Sequence, residues 1–346
     1  MNQTGISSYT EPQLAELVKE MGQPAFRAKQ LFKWLHEKQA RSFSAMTNQP
    51  KAFLAALEER FFIETLETER RQQSKDGTVK YLFRLPDGNC IETVLMRYSY
   101  GNTVCVSTQV GCRMGCRFCA STQGGRVRNL TAGEIANEVY AAARDTGERV
   151  SHIVLMGIGE PLDNFDHVMD FLSIISSPNG VNIGMRNISL STCGLVPMIY
   201  KLAERHLGLT LSVSLHAPTD EMRSSMMPVN DGYPVEQLIR ACRDYQQETG
   251  RRVSFEYSMV NGVNDSPQTA RRLAQLIKGM GAHVNLIPIN PVDGSPYSAT
   301  DAANVKRFQT LLTELGVNAT VRRRLGTDIS AACGQLRREA KGGTTA

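Results

Sequence analysis

From about residue 103 onward, short apolar runs alternate with stretches of helical spacing, and this rhythm constrains the fold more than any other feature of the chain. The apolar runs fall at 103 to 108, 153 to 156, 188 to 191, 209 to 215, 253 to 260, 284 to 289 and 319 to 321. Between them, apolar residues at i, i+3, i+4 spacing predict helices near 131 to 145, 164 to 176, 195 to 206, 234 to 248, 265 to 279 and 301 to 315. Thr131-x-x-Glu134 reads as a capping box opening the first of these helices. Strand–helix repeats of this length imply parallel strands joined by right-handed crossovers, in an open sheet or a barrel. About six such units favour a partial barrel, and the class is α/β.

The chain before this region reads differently. Residues 11 to 60 carry helical spacing in three short segments, with Leu14, Leu17 and Val18 on the first, Leu31, Phe32 and Leu35 on the second, and Phe53, Leu54 and Leu57 on the third. Arg27, Lys29, Lys33 and Lys38 are interleaved, as phosphate contacts or as an ordinary solvated face. From about 62 the runs shorten and turn signals appear at Lys75-Asp76-Gly77 and Pro86-Asp87-Gly88, which predicts strands near 79 to 85 and 90 to 97. The expected organisation is a helical accessory domain at 1–62, a β-strand extension at 63–97, a core at 98–330 and a C-terminal segment at 331–346.

Eight cysteines among 346 residues are too sparse for a disulfide scaffold. They point instead to metal binding or thiol chemistry in a reducing compartment. No apolar run approaches the roughly 18 residues of a membrane span, so a cytoplasmic protein with no membrane partner is expected. A net charge of +5 permits a polyanionic partner without demanding one.

Cys112-Arg-Met-Gly-Cys116-Arg-Phe-Cys119 places three thiols within eight residues, just after a strand expected to end near Ser107. The loops that follow parallel strands are where such folds build active sites. A structural zinc site wants a fourth ligand, usually from a second knuckle, and no second C-x-x-C pair exists. Three thiolates on an iron–sulfur cluster leave one iron open to a ligand. The alternative is three buried small side chains or an incomplete zinc knuckle. Four further groups end or follow later strands: Gly157-Ile-Gly159-Glu160-Pro follows the second, Ser191 ends the third, Ser214-Leu215-His216 ends the fourth and Asn290 follows the sixth. Taken singly, Glu160 could simply cap the helix that follows and His216 could be a satisfied strand-end histidine.

C-x-x-x-C-x-x-C in this position resembles the radical S-adenosylmethionine (SAM) superfamily. With the strand-end groups and Cys333-Gly-Gln-Leu near the C-terminus, the resemblance narrows to the RlmN/Cfr family of RNA adenine methyltransferases, over nearly the whole chain. It implies a partial (β/α)6 TIM-like radical SAM barrel carrying a [4Fe–4S] cluster on Cys112, Cys116 and Cys119. SAM would be bound by Gly159, Glu160, Ser191, Ser214, Leu215, His216 and Asn290, two molecules per turnover. A first SAM methylates Cys333; a second, cleaved by one electron, removes hydrogen from that methyl group, whose carbon then bonds to the electron-poor carbon 2 of an adenine. The resemblance assigns Glu92 as the base for the carbon-2 proton and Cys105 as the thiol that frees the product by forming a disulfide with Cys333. On the residues alone, Glu92 lies in an alternating run where a charge usually faces solvent, and Cys105 reads equally as core filler, as Cys90, Cys193 and Cys242 are taken to be. The implied substrates are 23S rRNA and tRNA, and the implied electron donor is a flavodoxin or ferredoxin. The flanks Cys119-Ala-Ser-Thr and Glu160-Pro-Leu resemble the carbon-2 RlmN type more than the carbon-8 Cfr type. A radical SAM enzyme acting on a small molecule or protein and a non-enzymatic, metal-containing RNA-binding protein are the remaining alternatives.

Overall fold

The computed structural model describes residues 3–290, 295–332 and 334–336. The first sixty residues fold into α1 (Glu11–Glu20), α2 (Phe26–His36) and α3 (Lys51–Arg60), flanked by two short parallel strands, β1 (Thr4–Gly5) and β2 (Phe61–Phe62). Leu14, Leu17, Val18, Leu31, Phe32, Leu35, Phe53 and Leu57 are all buried, so the spacing read from sequence is the buried face. Each such side chain contributes roughly 1.5–3 kcal/mol by leaving water.

Next comes an antiparallel meander of β3 (Glu67–Gln73), β4 (Val79–Arg84), β5 (Cys90–Tyr98) and β6 (Gly101–Cys105). β3 was not expected. Its sequence, Glu-Thr-Glu-Arg-Arg-Gln-Gln, has no apolar alternation, because it is an edge strand exposed almost throughout. A charged edge of that kind discourages pairing with other chains. A hairpin of β7 (Gln109–Gly111) and β8 (Arg126–Asn129) follows, also unforeseen, with residues 112–125 as its loop.

The remainder alternates as the rhythm predicts: α4 (Ala132–Thr146), β9 (Val150–Leu155), α5 (Phe165–Ser176), β10 (Ile188–Thr192), α6 (Val196–Ala203) and β11 (Thr210–Ser214). Two short helices that sequence missed, α7 (Asp220–Met226) and α8 (Val229–Gly232), precede α9 (Val235–Thr249), β12 (Val253–Met259), α10 (Pro267–Leu276), β13 (His283–Pro288), α11 (Ala302–Glu314) and β14 (Asn318–Val321). The Thr131 capping box is formed: its hydroxyl accepts from Glu134 N–H at 3.2 Å while its own N–H donates to the Glu134 carboxylate at 3.0 Å. β6 and β9 to β14 are parallel in sequential order, and the meander extends them to one ten-stranded sheet.

The sheet must curl. β14 and β4 stand eight steps apart in strand order, about 38 Å if flat. Yet Gly326, five residues past the end of β14, donates its N–H to Asp76 in the β3–β4 turn at 2.9 Å, and five residues span at most about 18 Å. The outcome is the open, partial barrel expected from sequence. Leu190, Val213 and Phe255 are buried against the outer helices, while Ser191, Ser214, Glu256 and Ser258 line the concave side.

Candidate active site

Two cavities open at the rim where the parallel strands end, and the chain's reactive side chains are divided between them. Cys112, Cys116 and Cys119 line the first, together with Gly159, Glu160, Ser191, Ser214 and His216. The sequence therefore picked residues that the curled sheet brings to one wall. Leu215 is an exception, since its side chain is fully buried in the main core and only its backbone takes part, through its N–H to Glu256 O at 3.1 Å. Asn290 faces the second cavity.

The thiol loop is fixed from beneath. Glu138 on α4 accepts the Ser107 N–H at 2.9 Å and the Thr93 hydroxyl, and burial pushes its carboxyl well above the usual range. Asp163 accepts from Gln109 and Arg126, each at 2.9 Å, and from Arg113, which clamps the hairpin to the segment after Glu160. Burial raises the Cys112 thiol to about 12 and the Cys116 thiol well above its ordinary value. Such thiols deprotonate only against a bound cation, and three sulfur donors on one buried wall suit an iron–sulfur cluster.

The strand-end residues combine structural and site geometry. Glu160 accepts from Leu162 N–H at 3.0 Å, the capping role sequence left open, and from Cys193 N–H at 2.7 Å across to the end of β10. Gly157 and Gly159 are required by close approach: a Cβ would lie 2.6 Å from Val106 O at the first and 2.7 Å from Thr108 Oγ1 at the second, where φ is +113°. His216 adopts the left-handed region at φ +57°, unusual outside glycine and often found at functional sites. Its Nδ1 accepts from Ser258 N–H at 2.9 Å, and burial lowers its pKa to about 3, so the ring is neutral with its proton on Nε2. Phe118 of the thiol loop meets this ring edge-on at 4.9 Å.

The second cavity lies between β5, β6 and the segment after β14. Cys105, Val94, Met96, Asn290, Arg323, Arg324, Leu325, Ala331 and Ala332 line it, and Met156, Ile287 and Arg322 line both cavities. Cys333 lies outside the described residues; of its neighbours, Ala332 lines the second cavity and Gly334 the first. Glu92 is buried, not on a solvent face, and pairs with Lys80 at 2.9 Å. It shares the face of β5 that carries Val94 and Met96, and Val94 is in register with Cys105.

Sequence reasoning missed three residues here. Cys193 is buried in a small apolar cluster, as filler would be, but it also lines the first cavity beside Glu160, whereas Cys242 lies in the main core. Its position directly after β10 was the available signal. Glu256 and Arg223 gave none, because a charge inside a strand or helix is ordinary until the sheet curls around it.

Among the described residues no helix is long and apolar enough to cross a membrane. The family model for the radical SAM superfamily matches residues 106–274, and that for the ribosomal RNA large subunit methyltransferase N-terminal domain matches residues 4–63. The chain is 51% identical over 334 residues to a probable dual-specificity RNA methyltransferase RlmN of Clostridium botulinum (strain Eklund 17B / Type B), covering 96% of each. It is 53% identical over 321 residues to the protein of the same description from Staphylococcus aureus (strain JH9), covering 92% of this chain and 88% of that one. The crystal structure of a radical SAM methyltransferase from Sphaerobacter thermophilus superposes with a TM-score of 0.91 at 46% identity, covering 96% of this chain and 99% of that one.

Proposed function

The chain belongs to the RlmN family of radical SAM RNA methyltransferases, and on that footing we propose that it methylates carbon 2 of adenosine in 23S rRNA and in tRNA by way of a methyl group carried on Cys333. A [4Fe–4S] cluster held by Cys112, Cys116 and Cys119 supplies one-electron cleavage of SAM, with electrons from a flavodoxin or ferredoxin. Glu160, Ser191, Ser214 and His216 would hold SAM in the first cavity, the carboxylate accepting from its ammonium group and the neutral Nε2–H of His216 donating, whereas Asn290, expected from sequence to join them, lines the second cavity. Two SAM molecules are consumed per methyl transferred.

The division of labour between the two cavities is the observation that supports this reading. The residues flanking Cys333 touch both, and Cys105 and the Glu92 face of β5 border the second. Once the carbon on Cys333 has bonded to adenine, the adduct is left with one unpaired electron, which returns to the oxidised cluster as Glu92 takes the carbon-2 proton. The Cys105 thiolate then attacks the Cys333 sulfur, the carbon–sulfur electron pair stays on carbon, and protonation there completes the methyl group. Arg322, Arg323 and Arg324 around this cavity favour both a thiolate and an RNA backbone. The N-terminal helices, with Lys29 and Lys38 exposed, add a basic face for RNA.

The test is incubation with labelled SAM, a reductant and RNA from a strain lacking the gene, followed by nucleoside mass spectrometry. The expected product is 2-methyladenosine in both RNAs, and a dominant 8-methyladenosine overturns the positional reading. In Cys105→Ala the expected outcome is a stable protein–RNA adduct; release of methylated RNA at the wild-type rate removes Cys105 from the mechanism.

A further inference from the structure

Arg223 is a fully buried arginine on α7, and among the described residues no carboxylate bonds it directly; Asp220 acts on it only from a distance, through Asn230. Its guanidinium donates only to neutral oxygens: Leu215 O at 3.1 Å, Ser214 O at 3.2 Å, Cys193 O at 2.6 Å and Asn230 Oδ1 at 3.1 Å. A buried charge is expensive, and folded proteins ordinarily pair it with an opposite one. Hydrogen bonds alone explain why the group is satisfied, not why it is charged.

What lies next to it does explain the charge. α7 ends against the thiol loop, where Arg117 N–H donates to Met226 O at 2.9 Å and Gly115 approaches Pro228. Cys116, Cys193, Met226 and Met227 form one buried cluster, and the Cys193 carbonyl is the acceptor of the shortest Arg223 bond. Arg223 also opposes the burial that raises the Cys116 thiol, and it helps keep His216 neutral. We propose that Arg223 is a positioning residue for the cluster, its unbalanced buried charge favouring the reduced, more negative state. An iron–sulfur cluster on three thiolates carries net negative charge, which one added electron increases, and nearby charge is among the determinants of its potential. A cation held at the ends of β10 and β11 stabilises the reduced form more than the oxidised one. This inference rests on the cluster reading of Cys112, Cys116 and Cys119.

The experiment is an anaerobic potentiometric titration of the full, reconstituted chain followed by electron paramagnetic resonance. Arg223→Gln is expected to lower the reduced-to-oxidised ratio at a fixed potential roughly tenfold, a shift of about 59 mV for one electron. Arg223→Lys, which keeps the charge and loses hydrogen bonds, is expected to stay close to wild type. Should the Gln variant fail to fold or load iron, the exchange Asp220→Asn with Asn230→Asp decides the matter. Asn230 already donates to the Asp220 carboxylate at 3.0 Å, so the swap moves one negative charge onto Arg223 while leaving every guanidinium bond in place. It is expected to shift the potential in the same negative direction. An unchanged potential in the Gln variant or the swap, or an equal shift in the Lys variant, overturns the proposal. A wild-type protein with no cluster signal after reconstitution overturns the cluster reading instead, and the inference with it.

Discussion

The two cavities share a wall of Met156, Ile287 and Arg322, yet they are built in opposite ways. The first is walled by strand ends of one parallel sheet, each placed by ladder hydrogen bonds and a helix behind it. The second is closed by a strap, residues 322–332 and 334–336, tied to the meander by Gly326 N–H to Asp76, Ser74 hydroxyl to Asp328 at 2.6 Å and Lys80 to Ser330 O at 3.3 Å. The strap packs through Leu325, Ala331 and Leu336 into a small apolar cluster, and its end is joined to the thiol loop by Ala120 N–H to Gly334 O at 2.8 Å and Ser121 hydroxyl to Leu336 O at 2.7 Å. A rigid pocket suits a cofactor that must be held in one geometry. A strapped pocket suits a large substrate that must enter, react and leave.

The sharpest way to break this contrast is to separate SAM cleavage from product release. Cys116→Ala removes a thiol from the first cavity and is expected to reduce 5′-deoxyadenosine formation to background. Cys105→Ala touches only the second cavity and is expected to leave that reaction, assayed without RNA, at the wild-type rate. Equal losses in both variants mean the cavities act as one site.

A second test measures rigidity. At Gly159 a Cβ would press on Thr108 and Gln109 and the backbone would be strained at φ +113°, so Gly159→Ala is expected to cost about 2–4 kcal/mol in denaturant unfolding. Met96→Ala borders open space in the second cavity and is expected to cost less than half as much. A smaller loss at Gly159 than at Met96 reverses the assignment of rigid and yielding walls.

The contrast also explains what could be read from sequence. The parallel core was legible because its strands are apolar on the helix side and its helices are amphipathic, and the first cavity was legible because site residues fall at a fixed place, in the last residues of each strand or just past them. Cys193 and Ser258 obey that rule as well, but single residues without a motif do not stand out. The second cavity was obscure because its parts are far apart in the chain: Asp76, Glu92, Cys105 and the strap meet only when the sheet curls. The expectation that Glu92 might face solvent treated β5 as having a wet side, whereas the strap covers one face and α4 the other. Arg27, grouped by charge with phosphate-binding lysines, is partly used inside the helical region, where it donates to Gln49 at 3.2 Å.

The smallest expected effect concerns how the strap is fastened. Partial burial pulls the Asp76 carboxyl up, but the N–H groups of Gly326 and Thr78 more than offset this, bringing it from its ordinary 3.8 down to about 2. A carboxylate lowered in this way adds stability that is full above about pH 4 and fades as the pH falls toward 2, because the proton taken up in acid weakens its acceptor role. Asp76 is exposed, so the gain is modest, about 1 kcal/mol for a charged acceptor of backbone N–H groups discounted for solvent. In Asp76→Asn the amides of 326 to 336 are therefore expected to exchange with deuterium about fivefold faster at neutral pH, while those of β9 to β11 keep their protection. Corrected for intrinsic rates, strap exchange should rise between pH 4 and pH 2 more in the wild type than in the variant, where only the Asp328 fastening to Ser74 remains to be lost in acid. Equal acceleration in the strap and in the parallel strands would mean that the two cavities open together, and that the second is no looser than the first.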